Sequence, residues 1–374
     1  MSTQFDATCI LEDTPVLVVD LDRLEENIRD MADFASRHSV NLRPHIKTHK
    51  TPAITRRQLA AGAVGITVAK LGEAEVMADH GIDNILVAYP LVGEVKVNRL
   101  LRLAERAKVS TVVDNLEAAR FLSEKCLAAG KRLDVLIEVN SGLDRCGVEP
   151  GQDTVDFARH IVQLEGLRLV GILTHAGHAY ASRSPAEVAE IGRREGQVMV
   201  ETYALMRKAG LEVATVSVGS TPTARHAGAI EGVTEIRPGN YVFYDAIQVA
   251  LGVVKPDRCA LSVRATVISA VRPGRAIIDA GSKALGLDTG GHGTELLRGH
   301  GMVKGHPDVI ISRLSEEHGF MDFDANRRTF NVGDIVEIIP NHACSVVNNF
   351  REMVGLRNGV VETTFDIAAQ GRLR

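Results

Sequence analysis

Three short stretches of this chain carry residue types that could do chemistry. The first is Arg43-Pro44-His45-Ile46-Lys47-Thr48-His49-Lys50. A lysine flanked by His45 and His49 can have its amine pKa lowered and attack a carbonyl. Lys47 is central, Lys50 competes by position, and a solvated basic loop is the alternative. The second is Pro340-Asn341-His342-Ala343-Cys344-Ser345. In an extended segment His342 and Cys344 would point the same way, so one metal ion could take both. Imidazole nitrogen with thiolate suits Zn2+ best, although a lone His-x-Cys pair is weak evidence. The third is a pair of turns, Gly219-Ser220-Thr221 and Pro238-Gly239-Asn240-Tyr241. Glycines that admit close backbone approach, beside Ser220, Thr221 and Asn240 as donors, would suit a phosphate. Ordinary glycine-containing turns are the alternative.

These stretches must be held by something regular. Eight apolar runs, 40–45, 64–70, 84–89, 108–115, 132–140, 167–175, 213–219 and 234–240, alternate with segments of helical spacing. They are nearly continuous in Val, Ile and Leu, as strands buried on both faces should be. Leu24, Ile28, Met31 and Ala35 recur at helical intervals, with Asp20 or Asp22 available as N-cap. Gly81, Gly130 and Gly210 fall where helices should stop. Eight βα repeats predict an α/β fold, a (β/α)8 TIM barrel, over a doubly wound sheet. The active site of such a barrel lies at the C-terminal ends of its strands. Those ends supply Lys47, the loop Ser141–Gly147 with Arg145 and Cys146, the pair Thr174-His175, and the two candidate phosphate turns.

After about residue 255 the pattern changes. Runs 261–271, 275–280, 301–303 and 335–339 read as strands, with turns at Pro273-Gly274, Asn331 and Gly333-Asp334. A small C-terminal β domain is expected, and the run 15–20 is expected to join it. The domains are then residues 23–254 for the barrel, and 1–22 with 255–374 for the β domain.

Arg43-Pro-His-Ile-Lys-Thr-His-Lys50, following Thr14-Pro-Val-Leu-Val-Val-Asp20, resembles the D-threonine aldolase and D-serine dehydratase family. That family belongs to the alanine-racemase-like, fold-type III enzymes that use pyridoxal 5′-phosphate (PLP). The resemblance runs from Thr14 to about Gly371. It implies that Lys47 rather than Lys50 holds PLP, and that Arg145 before Cys146-Gly-Val148 faces the pyridine nitrogen. It also implies that Gly219, Ser220, Thr221, Gly239, Asn240 and Tyr241 hold the phosphate. Thr174 and His175, at the end of the sixth run, are expected to face the cofactor by position. His342 and Cys344 map to the family's divalent-metal site, with Zn2+ or Mn2+ expected. The implied reaction is retro-aldol cleavage of D-threonine-type 3-hydroxy amino acids to glycine and an aldehyde. Cys344, where the aldolases tend to carry Asp, draws toward the alternative, a dehydratase giving a 2-oxo acid and ammonia. An amino-acid racemase would need a second base and no metal pair. A PLP-binding protein without turnover would consist of the barrel alone. The racemases of this fold are dimers, so a homodimer is implied.

Composition narrows the rest. A net charge of −4 gives no electrostatic footprint for nucleic acid or an anionic membrane. No apolar run approaches the ~20 residues needed to span a bilayer. Residues 1–13 carry two acids before position 13 and no basic residue, unlike a signal peptide. Five scattered cysteines argue against a disulfide framework and for the cytoplasm. His38, His80, His160 and His226 are expected at the surface near helix ends. His292, His306 and His318 fall in the β region as candidates to border the active site, and Cys146 is expected to be structural.

Overall fold

A computed structural model of the protein describes residues 9–291 and 296–374. The chain forms two compact units. One comprises residues 29–47, 52–239 and 372–374; the other comprises the residues up to 28, with 48–51 and 240–371.

The first unit contains eight parallel strands, each run shorter than the apolar stretch that predicts it. They are β2 (Asn41–Leu42), β3 (Ile66–Val68), β4 (Asn84–Val87), β5 (Lys108–Val113), β6 (Leu133–Glu138), β7 (Leu167–Leu173), β8 (Thr215–Val218) and β9 (Glu235–Ile236). Their order is β2-β9-β8-β7-β6-β5-β4-β3. A parallel bridge between His45 and Thr67 joins the two ends of this sheet, with Ile46 N–H donating to the Thr67 carbonyl at 2.9 Å. Helices α2 (Pro52–Ala60) to α8 (Ala224–Ala227) alternate with the strands. This is the α/β barrel expected from the repeats. Ile66, Val68, Ile85, Val135, Ile137 and Val216 are fully buried, which is why polar alternation is missing from the runs.

Helix signals act where expected. Helix α1 (Leu21–Arg37) begins after Asp20, whose Oδ1 accepts the Arg23 N–H at 3.0 Å, so Asp20 rather than Asp22 is the cap. Helix α3 (Leu71–Asp79) ends at Gly81, which has φ +80°. There the Ile82 N–H donates to Met77 and the Gly81 N–H to Ala78, a left-handed turn that closes the last carbonyls.

The second unit is built from β1 (Val16–Asp20) and eight later strands: β10 (Leu261–Arg272), β11 (Arg275–Ile278), β12 (Met302–Val303), β13 (Ile310–Leu314), β14 (Gly319–Asp322), β15 (Ile335–Ile339), β16 (Glu352–Arg357) and β17 (Val360–Asp366). Because β10 pairs with both β11 and β15, the circuit β10-β11-β14-β13-β12-β15 closes on itself. β1 pairs antiparallel to β10 and parallel to β16. β13, β14, β16 and β17 are additional to the runs read from the sequence.

Candidate active site

At the C-terminal ends of the barrel strands, side chains form one polar network. Arg237, directly after β9, is 5% exposed. Its guanidinium donates to Ser217 Oγ at 2.6 Å and to the Thr174 carbonyl at 2.5 Å. Ser217 in turn donates to Glu235 at 2.7 Å, and Arg43 donates to the other oxygen of Glu235 at 2.8 Å. Burial lowers the Arg237 pKa, while Glu235, Glu195 and Glu138 support its charge. This network holds the ends of β8 and β9 and the residue preceding His175.

His45 lies on the seam of the barrel, half-buried. Burial holds its pKa well below the ordinary value, and the charges of Lys47, His175, Arg237 and Arg145 push it further down. Lys47 occupies the turn just after, and its backbone N–H donates to His45 Nδ1 at 3.3 Å. His45 thus lies within the electrostatic reach of four cationic or titratable groups, Lys47, His175, Arg237 and Arg145. The acids nearby are already engaged: Glu235 by Arg43, and Glu138 within 3.8 Å of Arg145. A set of cationic groups whose carboxylates are paired among themselves suits an anionic ligand such as PLP.

Arg145 rides on a loop wound around Asn140. Asn140 Oδ1 accepts the N–H groups of Gly142 (3.0 Å) and Asp144 (3.2 Å). Its Nδ2 donates to Asp144 (2.8 Å) and Glu149 (2.9 Å), so every bonding site of the amide is used. The loop closes at Gly147, with φ +107°, where an added Cβ would lie 2.8 Å from Asn140 N. Cys146 is half-buried, and burial with Glu138 and Asp114 raises its thiol pKa, as fits an unreactive cysteine.

The candidate phosphate turns differ in detail from the simple cradle. Gly219, with φ +98°, turns its N–H to Glu195 Oε1 at 2.8 Å. Ser220 N–H and Oγ both meet Thr223 Oγ1, at 3.1 and 3.0 Å. The Gly219 and Ser220 N–H groups thus bond within the protein. Thr174 Oγ1 bonds Val139 O and Ser141 Oγ, both at 2.7 Å, rather than standing alone. Glu195 is buried on α7 (Pro185–Lys208), and it joins the Gly219 turn to Ala176 N–H at 3.3 Å.

In the other unit, His342 and Cys344 do not lie on an extended segment. His342 is the N-cap of α11 (Ala343–Val347), so Cys344 sits in the first helical turn. The two residues still act on each other: Cys344 favours the protonated form of His342. His342 Nδ1 lies 3.5 Å from Asp288 Oδ2. Burial opposes a charged His342, but Cys344, Asp288 and Asp245 outweigh it and raise its pKa well above the ordinary value. Cys344 Sγ is 3.1 Å from Thr48 Oγ1. Asn240 and Tyr241 belong to this unit, and the Asn240 amide is turned to Asp245 at 2.5 Å. Among the described residues no group of three His, Cys, Asp or Glu stands ready to hold a metal. The donor set nevertheless fits one: a nitrogen and a sulfur ligand, with a carboxylate behind the imidazole.

The remaining histidines divide. His38, His80 and His160 are exposed near helix ends, whereas His226 is half-buried against the expectation. His306 hydrogen-bonds Arg328, His318 lies 3.4 Å from Ser315, and His292 lies outside the described residues. Glu195, Arg237, Asp245 and Asp288 are absent from the sequence reading, and Thr48 and Asn140 carry no role in it. Arg237 directly follows β9 and Asn140 lies two residues past β6, positions where a barrel's functional residues are sought. The bonds that tie Asp245 and Asp288 to the His342 turn reach Ala343 and Ser345, 98 and 57 residues away.

Comparison with known proteins agrees with this fold. The alanine racemase N-terminal domain family matches residues 19–246, and a serine dehydratase domain family matches residues 260–356. The chain is 34% identical to a D-threonine aldolase from Arthrobacter sp., covering 96% of this chain and 93% of that one. It is 36% identical to the D-threo-3-hydroxyaspartate dehydratase of Delftia sp. strain HT23, covering 95% and 97%. The crystal structure of D-threonine aldolase from Filomicrobium marinum superposes with a TM-score of 0.90 at 37% identity, covering 97% of each chain. Solved forms of the dehydratase include alanine variants of a histidine and of a cysteine two positions apart, the cysteine variant in a metal-free form. The spacing is that of His342 and Cys344.

Proposed function

Since this chain belongs to the alanine racemase N-terminal domain family, in its branch of D-threonine aldolases and D-threo-3-hydroxyaspartate dehydratases, we propose that it is a PLP- and divalent-metal-dependent lyase cleaving D-3-hydroxy amino acids of the D-threonine type. The observation that carries this reading is the His342–Cys344 pair with Asp288 3.5 Å from the imidazole, in a chain whose barrel carries Lys47 in the turn just after the His45 seam.

Lys47 would hold PLP, with Arg145 toward the pyridine nitrogen. Thr174, Gly219, Ser220, Thr221, Gly239, Asn240 and Tyr241 would surround the cofactor and its phosphate. His342 and Cys344 would hold the metal, Zn2+ or Mn2+. Bound there, PLP would supply an electron sink for the bonds at the substrate Cα and the metal a Lewis acid for the β-hydroxyl. His175 would take the hydroxyl proton as the Cα–Cβ bond breaks and the aldehyde leaves, and Lys47 would return a proton to Cα to complete glycine. Arg237 and Asn140 keep His175 and Arg145 in place.

A second reading, dehydration to a 2-oxo acid and ammonia, is favoured by Cys344 and by the 36% identity to the dehydratase. In that case Lys47 removes the Cα proton and the hydroxyl departs. The barrel with residues 23–254 is the proposed PLP domain, and residues 1–22 with 255–374 the proposed metal-carrying domain. The enzyme is proposed to act as a cytoplasmic homodimer, in line with its four described free cysteines. No described helix is long and apolar enough to cross a membrane.

The test is incubation with D-threonine, PLP and Zn2+ or Mn2+, against an EDTA control. Acetaldehyde with glycine supports the aldolase. 2-Oxobutanoate with ammonia makes it a dehydratase. No product with either metal defeats the lyase reading.

A further inference from the structure

Asp245 is 1% exposed, and its carboxylate meets three separate pieces of chain. Oδ2 accepts from the Asn240 side-chain amide at 2.5 Å and from the Ala343 backbone N–H at 2.9 Å. Oδ1 accepts the Gln248 N–H at 3.1 Å, which caps α9 (Ala246–Ala250). Two backbone bonds fasten the same junction: Ala246 N–H to Pro340 O at 3.0 Å, and Ile247 N–H to Asn341 O at 3.2 Å. Ala343 lies between His342 and Cys344. One carboxylate oxygen therefore touches both the Asn240 turn and the turn that carries the His-x-Cys pair.

A buried carboxylate needs its donors, because an unpaired charge in the interior is costly. Neither donor can shift without disturbing the other.

We propose that Asp245 is a positioning residue coupling the two sites, so that a divalent cation at His342 and Cys344 changes the affinity of the Asn240 turn for the phosphate of PLP. This rests on the function proposed above. By linkage the effect is reciprocal: PLP changes the affinity for the metal by the same factor.

The experiment uses the intact protein, stripped with EDTA and dialysed free of PLP. PLP is titrated by the absorbance of the lysine-bound cofactor, once in EDTA and once in saturating Zn2+. Zn2+ affinity is measured by chelator competition with and without PLP. The expected result is a change of about fivefold or more in both constants, by the same factor. In Asp245→Asn, which keeps the shape but replaces an accepting oxygen, the factor falls below about twofold. Where Asp245→Asn does not fold by circular dichroism, Asn240→Ala is judged by the same criterion. Equal PLP affinity with and without Zn2+ in the unaltered protein overturns the inference, and so does full coupling in a folded variant. Failure of the unaltered protein to bind PLP under any condition is a different outcome. It defeats the functional reading, and this inference with it.

Discussion

Thr48 Oγ1 stands 3.1 Å from Cys344 Sγ, across 296 residues of sequence. Thr48 is fully buried and follows Lys47 directly in the chain. The residue after the candidate cofactor lysine is thus bonded to one half of the candidate metal pair. A hydroxyl against a sulfur orients it and adjusts its strength as a ligand. Thr48→Val should weaken Zn2+ binding about 10-fold or more, read by chelator competition. Thr48→Ser should restore it. Equal affinity in all three proteins would remove Thr48 from the site.

Asn140 carries a prediction about Arg145. Its four hydrogen bonds wind the loop that presents the guanidinium. The loop is largely exposed, so the stability cost of Asn140→Ala should be modest, about 1–2 kcal/mol by urea unfolding. The effect on PLP affinity should be larger in proportion and should vanish in an Arg145→Ala background. Additive losses would mean that the loop does not act through Arg145.

The Arg237 network predicts a large stability effect. Arg237→Met removes the donor to Ser217 Oγ and the Thr174 carbonyl and takes a positive charge from beside buried Glu195, while Glu235 keeps Arg43. Removing one member of a buried charged network costs about 3–5 kcal/mol. Chemical denaturation checks this, and a loss under about 1 kcal/mol would contradict the network's role.

His45 predicts a pH dependence. Burial first, and then the charges of Lys47, His175, Arg237 and Arg145, depress its folded pKa. The unfolded chain therefore binds a proton near pH ~6.5 while the folded chain does not. Stability should be level above that pH and fall as the solution is acidified toward the depressed folded pKa. Unfolding curves of cofactor-free protein between pH 5 and 8, values chosen to bracket about 6.5, test the slope. His45→Asn should flatten it, and an unchanged acid-side slope in that variant would show that other groups carry it.

Much of the barrel is legible in the sequence because its signals are local. A strand buried on both faces writes an unbroken apolar run, and Asp20 and Gly81 mark helix ends through bonds reaching only a few residues. The β domain is less legible. β17 alternates exposed and half-buried positions and contains Glu362, Thr363 and Thr364, so hydrophobicity does not single it out. The site divides in the same way. Lys47, His342 and Cys344 stand out by type and spacing. Asp245 and Asp288 do not, because their meaning comes from partners many residues away. For His342 and Cys344 the pairing was legible, but the geometry behind it is a helix N-terminus rather than a strand.

The place of β1 has a consequence for synthesis. Val18 pairs with Ser262 on one side and with Val354 on the other. The strand leaves the ribosome first among these three, and domains generally fold as they emerge. Val16–Asp20 must therefore wait, with both edges unpaired, until nearly the whole chain has been made. All eight barrel strands are complete by Ile236, well before that. A nascent chain halted between these points would carry an apolar strand with no neighbours, the state most open to capture by a chaperone or by another copy.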